Sequence, residues 1–149
     1  MTPKQIRPLA LCVFRNGSRI LVSEGLDFTK GQTYYRPLGG GIEFGESGVA
    51  AITREIREEL GVEITTPHLL GVMENIFNLE GDPGHEIVFV YDARFVDESL
   101  YSRETIPFQE EGWATPHAIW LDLNSLRTDR PLYPDGLADL LHSILDVQC

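Results

Sequence analysis

The stretch from Gly39 to Val62, GGGIEFGESGVAAITREIREELGV, constrains this chain more than any other, because it joins two kinds of backbone with different residue demands. Its first part, Gly39 to Gly45, holds four glycines and reads as a turn-forming segment that can take φ > 0 or approach a ligand closely. Its second part, Ser47 to Leu60, reads as an amphipathic helix stopping at Gly61, a residue suited to a left-handed C-terminal position. Ser47 or Glu46 can serve the helix start, and no proline interrupts the run.

At about 100° per residue the helix sorts its side chains into faces. Val49, Ile52, Ile56 and Leu60 form an apolar stripe, the expected core face. Glu55, Glu58 and Glu59 fall together on a neighbouring face, with Gly48 and Ala51 leaving room beside them. Arg54 and Arg57 point elsewhere, so the carboxylates are not simply paired within their helix. Three crowded carboxylates raise one another's pKa unless a cation holds them. Oxygen-only ligands suit Mg²⁺, Mn²⁺ or Ca²⁺ rather than zinc. On an arbitrary helix such a stripe is ordinarily solvated surface. Beside a glycine segment it is less ordinary, since loop backbone offers a carbonyl to a metal and N–H groups to a phosphate.

The pattern Gly40, five residues, Glu46, seven residues, then Arg54-Glu55-Ile56-Arg57-Glu58-Glu59-Leu60-Gly61-Val62 resembles the complete signature of the Nudix hydrolase family. All seven fixed identities and both apolar positions match, with a chance on the order of 10⁻⁹ or less at a given start. The resemblance is motif-level over 23 residues, Gly40 to Val62; elsewhere the chain agrees only in length and strand pattern. One departure is Leu38, with Pro37 before it, where many members place proline directly before the two glycines.

The resemblance implies Mg²⁺- or Mn²⁺-dependent hydrolysis of a nucleoside diphosphate linked to another moiety, by attack of water on phosphorus. Glu55, Glu58 and Glu59 would be catalytic metal ligands, with the Gly39 carbonyl as another. Glu55 would also help deprotonate the water, and Arg54 and Glu46 would orient the ligands. Gly40 belongs to the segment that receives the diphosphate. Family members commonly supply a further glutamate from a later loop, as metal ligand or base. Glu111 is the first choice, with Glu110 and Glu86 as alternatives.

Outside that stretch, 149 residues suffice for a single domain spanning 1–149 with a proper core. A net charge of −11 argues against unaided binding of a nucleic acid polymer, though not of a small phosphate compound beside a bound cation. Cys12 and Cys149 provide neither a disulfide framework nor zinc spacing. The opening has only a six-residue apolar run before Arg15, too short for a signal peptide or membrane span, so the expectation is no membrane partner and a cytoplasmic location.

Along the chain, Arg7–Arg15 and Ile20–Glu24 read as strands around the turn Asn16-Gly17-Ser18-Arg19, followed by a loop over Leu26–Thr33. Tyr34-Tyr35-Arg36 reads as a short strand. Arg36 is a candidate phosphate contact as well as a plain surface arginine. Of the two tyrosines, which face opposite ways if extended, one is core and Tyr35 is the candidate for stacking on a base. Leu69–Phe77 is a strand after a break at Pro67, Asn78–Gly84 a turn, and His85–Phe95 the strongest strand, buried on both faces. Glu86, near its start, is a candidate substrate contact. Trp113 is a candidate base-stacking residue or a loop-packing one. Ala118–Leu123 reads as a last strand and Asp135–Val147 as a second amphipathic helix. Strands interleaved with two helices predict an α/β/α sandwich around a mixed β-sheet, the fold the resemblance also implies.

The group linked to the nucleoside diphosphate stays open among ADP-ribose-like compounds, dinucleoside polyphosphates, nucleotide sugars and (d)NTPs. No arrangement for reading a particular base is legible. Dimers are common in the family, so a homodimer is allowed but not specified. The alternative is a catalytically silent nucleotide-sensing or partner-binding module with the same fold. Such modules usually lack glutamates of the signature, and here none is missing.

Overall fold

The structure, a computed structural model, describes residues 4–108 and 117–148, with side chains to residue 144. In chain order its elements are β1 (Ile6–Val13), β2 (Arg15–Asn16), β3 (Arg19–Asp27), β4 (Gln32–Arg36), β5 (Leu38–Gly41), α1 (Gly48–Leu60), β6 (His68–Leu79), β7 (Asp82–Asp92), β8 (Thr105–Pro107), β9 (His117–Asp122) and α2 (Leu137–Gln148). Short 3₁₀ turns lie at Glu98–Ser102 and Leu123–Ser125. Among the described residues no helix is long and apolar enough to cross a membrane.

The strands form two sheets. One has the order β5-β1-β7-β6, with β1 and β7 parallel and the other pairs antiparallel. The other runs β2-β3-β9-β8, with β4 also paired to β3. Both faces of the central strands are covered, as the β1 sequence requires. Ala10 and Cys12 point into a core layer with Ala51, Ile52 and Ile56 of α1, while Leu9, Leu11 and Val13 point into a layer with Leu137 and Leu141 of α2. The result is the mixed α+β sandwich that the interleaved pattern predicts.

Three local expectations are corrected. Gly39 is not in a turn: Leu38–Gly41 is an edge strand laddered to β1, with Leu11 opposite Gly39 and Ala10 opposite Gly40. The reversal comes later, where the Glu46 amide donates to the Glu43 carbonyl at 2.9 Å and Gly45 takes φ 85°. Glycine is needed in β5 because a Cβ at Gly39, where φ is 150°, would overlap the Ala10 carbonyl oxygen. Similarly, the expected loop over Leu26–Thr33 shrinks to residues 28–31, because β3 runs to Asp27 and β4 begins at Gln32. The turn Asn78–Gly84 shrinks to Glu80-Gly81, both at positive φ, the two-residue geometry whose twist suits a hairpin.

Helix α1 is capped as expected. The Ser47 Oγ accepts from the Ala50 amide at 3.1 Å, and Gly61 at φ 70° donates its amide to the Arg57 carbonyl. Its orientation differs from the predicted stripe. Val49 is 41% exposed, while Ala51, Ile52, Ile56 and Glu59 are buried. The reason lies in the small residues: Gly48 packs directly on the Tyr91 hydroxyl and Ala51 enters the core, so this face seats the helix on the sheet rather than leaving space for a ligand.

Replacing Gly39 by alanine is expected to destabilise the protein by about 3 kcal/mol or more, since backbone strain and a main-chain clash add together. Gly17→Ala, at φ 65° but with open space around it, should cost roughly 1–2 kcal/mol. Urea unfolding of the two variants checks the contrast.

Candidate active site

The core seating of α1 brings Glu55 against β5. Its carboxylate lies so close to the Gly40 α-carbon that a Cβ there would meet Cδ at 2.5 Å. Strand β5 has no side chain at this point because the glutamate occupies the space. The side chain is thereby lodged beside the Gly39 carbonyl strand, where the resemblance implies a metal ligand.

Arg54 organises the surroundings. Its Nε and Nη2 donate to the two Glu46 oxygens at 2.8 and 2.9 Å, and Nη2 also donates to the Gly41 carbonyl at 3.0 Å. Nη1 reaches Glu55 Oε1 at 3.0 Å and Glu58 Oε2 at 3.3 Å. A second tie locks the turn, as the Glu43 amide donates to Glu46 Oε1 at 3.1 Å. Arg54 therefore does not point away from the carboxylates, as its helical position alone had implied. Its long side chain curls back over the acidic face. Arg57 does point elsewhere, in a bidentate pair with Glu63 at 2.8 Å. The hydrogen bonds from Arg54, helped by the Glu43 amide, pull the Glu46 carboxyl down to about 2, and Glu46 in turn raises Arg54.

The other two glutamates share a cavity of about 320 Å³ lined by Glu58, Glu59, Leu60, Gly61 and Pro107. Glu59 is only 5% exposed, whereas the Glu58 side chain is 59% exposed. Among the described residues, no three His, Cys, Asp or Glu side chains are gathered into one cluster. The cause is visible: Arg54 draws Glu55 and Glu58 towards itself, and Glu59 turns towards the core. The donor set nevertheless suits a hard divalent ion, being all oxygen, with Glu58 and Glu59 on one cavity and Glu55 beside the Gly39–Gly40 backbone.

A larger cleft of about 1270 Å³ opens on the opposite face of the β5-β1-β7-β6 sheet. Arg7, Arg36, Tyr34, Tyr133, Asn75 and Glu86 are among its lining residues. Arg7 connects it to the signature, with Nη2 3.6 Å from the point a Cβ on Gly41 would occupy. The far end is clasped between two hairpin turns. Buried Asp27 accepts from the Lys30 amide at 3.1 Å and the Glu80 amide at 3.4 Å, and Glu80 Oε1 accepts from the Phe28 amide at 2.7 Å.

Of the candidate substrate contacts, Arg36 and Glu86 line this cleft. Tyr35 does not: it is 7% exposed and packs in the α2-side core, its backbone bonded to Pro131 and Tyr133. The alternation of β4 turns Tyr34 into the cleft instead, 5.7 Å from the Tyr133 ring. Glu110, Glu111 and Trp113 lie outside the described residues. Arg7 and Asn75 were not legible as site residues, because only the pairing of β1 and β6 with β7 sets them beside Glu86. Residue parity along each strand was the one available signal.

The Glu46 pairing has a pH signature. A carboxyl held below its ordinary value contributes stability above the unfolded pKa of 4.5 and loses it as pH falls through about 2. Carboxylate ¹³C NMR should show Glu46 titrating with a midpoint near 2, returning towards 4.5 in Arg54→Gln. A Glu46 midpoint unmoved by that substitution would show that the pairing does not form in solution.

Comparison with known proteins gives the family and the fold. A family model described as NUDIX domain matches residues 5–137. NAD-capped RNA hydrolase NudC from Pseudomonas aeruginosa is 27% identical over 122 residues, 82% of this chain and 38% of the relative. The chain thus spans 38% of the length of that curated relative. Among solved structures, a UDP-X diphosphatase superposes with TM-score 0.65 at 19% identity, covering 100% of this chain and 67% of the other. A MutT NUDIX hydrolase from Burkholderia pseudomallei superposes with TM-score 0.62 at 23% identity, covering 95% of this chain and 99% of the other. With the family model spanning most of the chain and the signature folded as a capped helix against a glycine strand, this protein belongs to the NUDIX domain family.

Proposed function

We propose that the chain, acting as one domain over 1–149, is a Mg²⁺- or Mn²⁺-dependent pyrophosphohydrolase that splits the diphosphate of a small nucleoside diphosphate derivative. The observation that carries this reading is the placement of the Glu55 carboxylate on Gly40, on one side of a strand whose other side meets the Arg7 end of the cleft. The names of the relatives are consistent with it, since both an NAD cap and UDP-X are diphosphate-linked nucleotides.

Arg7 and Arg36 supply positive charge at the cleft in a chain of net charge −11, and bind the diphosphate oxygens there. Tyr34 and Tyr133, packed against each other, offer an aromatic surface on one side of the nucleoside. Glu55, held by Arg54 Nη1 and packed on Gly40, accepts the proton of the attacking water. Glu111 is the proposed additional base. A divalent ion held by Glu55, Glu58, Glu59 and the Gly39 carbonyl would supply charge neutralisation and a more acidic water. Beyond this proton transfer the protein contributes mainly positioning and electrostatics, where phosphoryl-type transfer gains most.

The hold of Arg54 on two of the carboxylates is the observation that favours the second reading, a module that binds nucleotides without cleaving them. A substrate panel of ADP-ribose, NAD, nucleotide sugars, dinucleoside polyphosphates and triphosphates, assayed in Mg²⁺ for phosphate, pyrophosphate and nucleoside monophosphate, separates the two. Hydrolysis should appear, vanish with EDTA, and fall on the order of 10²-fold or more in a folded Glu58→Gln variant. Arg54→Gln should cost about 10–100-fold, as loss of an orienting partner does. Nucleotide binding without any product release would establish the silent module instead.

A further inference from the structure

We infer that Glu86 and Asn75, at the floor of the large cleft, select guanine, so that the substrate's nucleoside half is guanosine; this rests on the hydrolase reading above. The two residues stand directly opposite each other on β7 and β6, and Arg7 stands opposite Glu86 on β1. Direct partners share a face of the sheet, and all three line the cleft. Glu86 is 5% exposed and Asn75 6%. Burial of a carboxylate this deep normally requires a cation or several donors. Here Glu86 Oε1 accepts one hydrogen bond, from Asn75 Nδ2 at 3.3 Å, and Glu86 forms no ion pair among the described residues. Arg7, its neighbour in the ladder, extends towards Gly41 instead. A buried acceptor facing a cleft with so little compensation is complementary to a ligand bearing donors.

The rest of the cleft specifies what carries those donors. The Tyr34 and Tyr133 rings, tilted by 45° at 5.7 Å, and Phe77 line the same space and favour a flat, polarisable group. A carboxylate accepts and does not donate, so a base fits only where its donors are not interrupted by ring or carbonyl lone pairs. Adenine and cytosine set a ring-nitrogen acceptor beside the exocyclic amine, and uracil flanks its one N–H with two carbonyls. Guanine alone among the common bases offers two adjacent donors, N1–H and N2–H₂, matching the fork of a carboxylate as a guanidinium does. Asn75 keeps a second amide N–H after bonding Glu86, which suits the guanine O6. Arg7 and Arg36 lie in the same cleft for the phosphates, keeping them off Glu86.

Equilibrium binding of GMP, IMP, AMP, UMP and dGMP in EDTA tests this without turnover. GMP and dGMP should bind alike and about tenfold or more tighter than AMP and UMP, with IMP, which lacks the N2 amine, between. Glu86→Gln should bring GMP to the AMP value, and the comparison of GMP with IMP on the unaltered protein holds even if that variant folds poorly. Equal binding of GMP and AMP overturns the inference, as does a dependence on the 2′-hydroxyl alone, which would assign Glu86 to the ribose. A retained guanine preference with no hydrolysis of any guanosine diphosphate derivative supports the inference and overturns only the catalytic reading.

Discussion

Everything at the candidate site hangs on one guanidinium. Arg54 joins the turn through Glu46, the edge strand through the Gly41 carbonyl, and the helix through Glu55 and Glu58. A lysine could not do this, since only a planar fork with several N–H groups can serve so many acceptors in fixed directions. Charge also makes the arrangement self-consistent. The carboxylates around Arg54 would repel one another, and the guanidinium in their midst, bidentate to Glu46, offsets that repulsion before any ion arrives. Glu55 can rest on β5 without spreading the strand and helix apart because Gly40 has no Cβ.

The sandwich sets where chemistry can happen. The later part of β1 is buried on both faces, and β7 buries Glu86, Val88, Val90 and Tyr91, so the two cavities described open beyond these packed stretches. One is the rim of α1, with Glu58 and Glu59; the other is the cleft at Arg7, Asn75 and Glu86. The first is lined by the end of α1 and by Pro107, the second lies on the face of the β5-β1-β7-β6 sheet away from α1, and Glu55 and Arg7 approach neighbouring glycines of β5, the edge strand. Glycine there brings both faces within reach of one backbone. A ligand extending from the cleft past Arg7 would arrive at that backbone with its diphosphate.

Much of this was legible in the residues. Local signals identified α1 and its caps, because Ser47 and Gly61 act within a single turn of chain. The signature also pointed to Glu55, Glu58 and Glu59 and to the supporting Arg54 and Glu46. What the local pattern misjudged depended on long-range packing. Val49 continues the apolar period, yet Gly48 and Ala51 let the helix roll towards the sheet, leaving Val49 outside and carrying Glu59 inward. The glycines before the helix read as a turn because nothing in their own composition shows that β1 would ladder with them. Choosing Tyr35 over Tyr34 as the stacking residue failed because parity is set by the pairing of β4 with β3 and by the backbone bonds to Pro131 and Tyr133, which no local signal carries. Arg7 and Asn75 are 68 residues apart and become neighbours only through Glu86.

The proposed hydrolysis requires a divalent ion lodging where α1 meets the glycine strand. Titrating ¹⁵N-labelled protein with substoichiometric Mn²⁺ tests that most directly, since paramagnetic broadening marks nearby amides. Signals from Gly39, Gly40, Glu55, Glu58 and Glu59 should broaden first, and Glu59→Gln should weaken the effect. Broadening spread evenly over the acidic surface, or concentrated away from α1, would contradict the account.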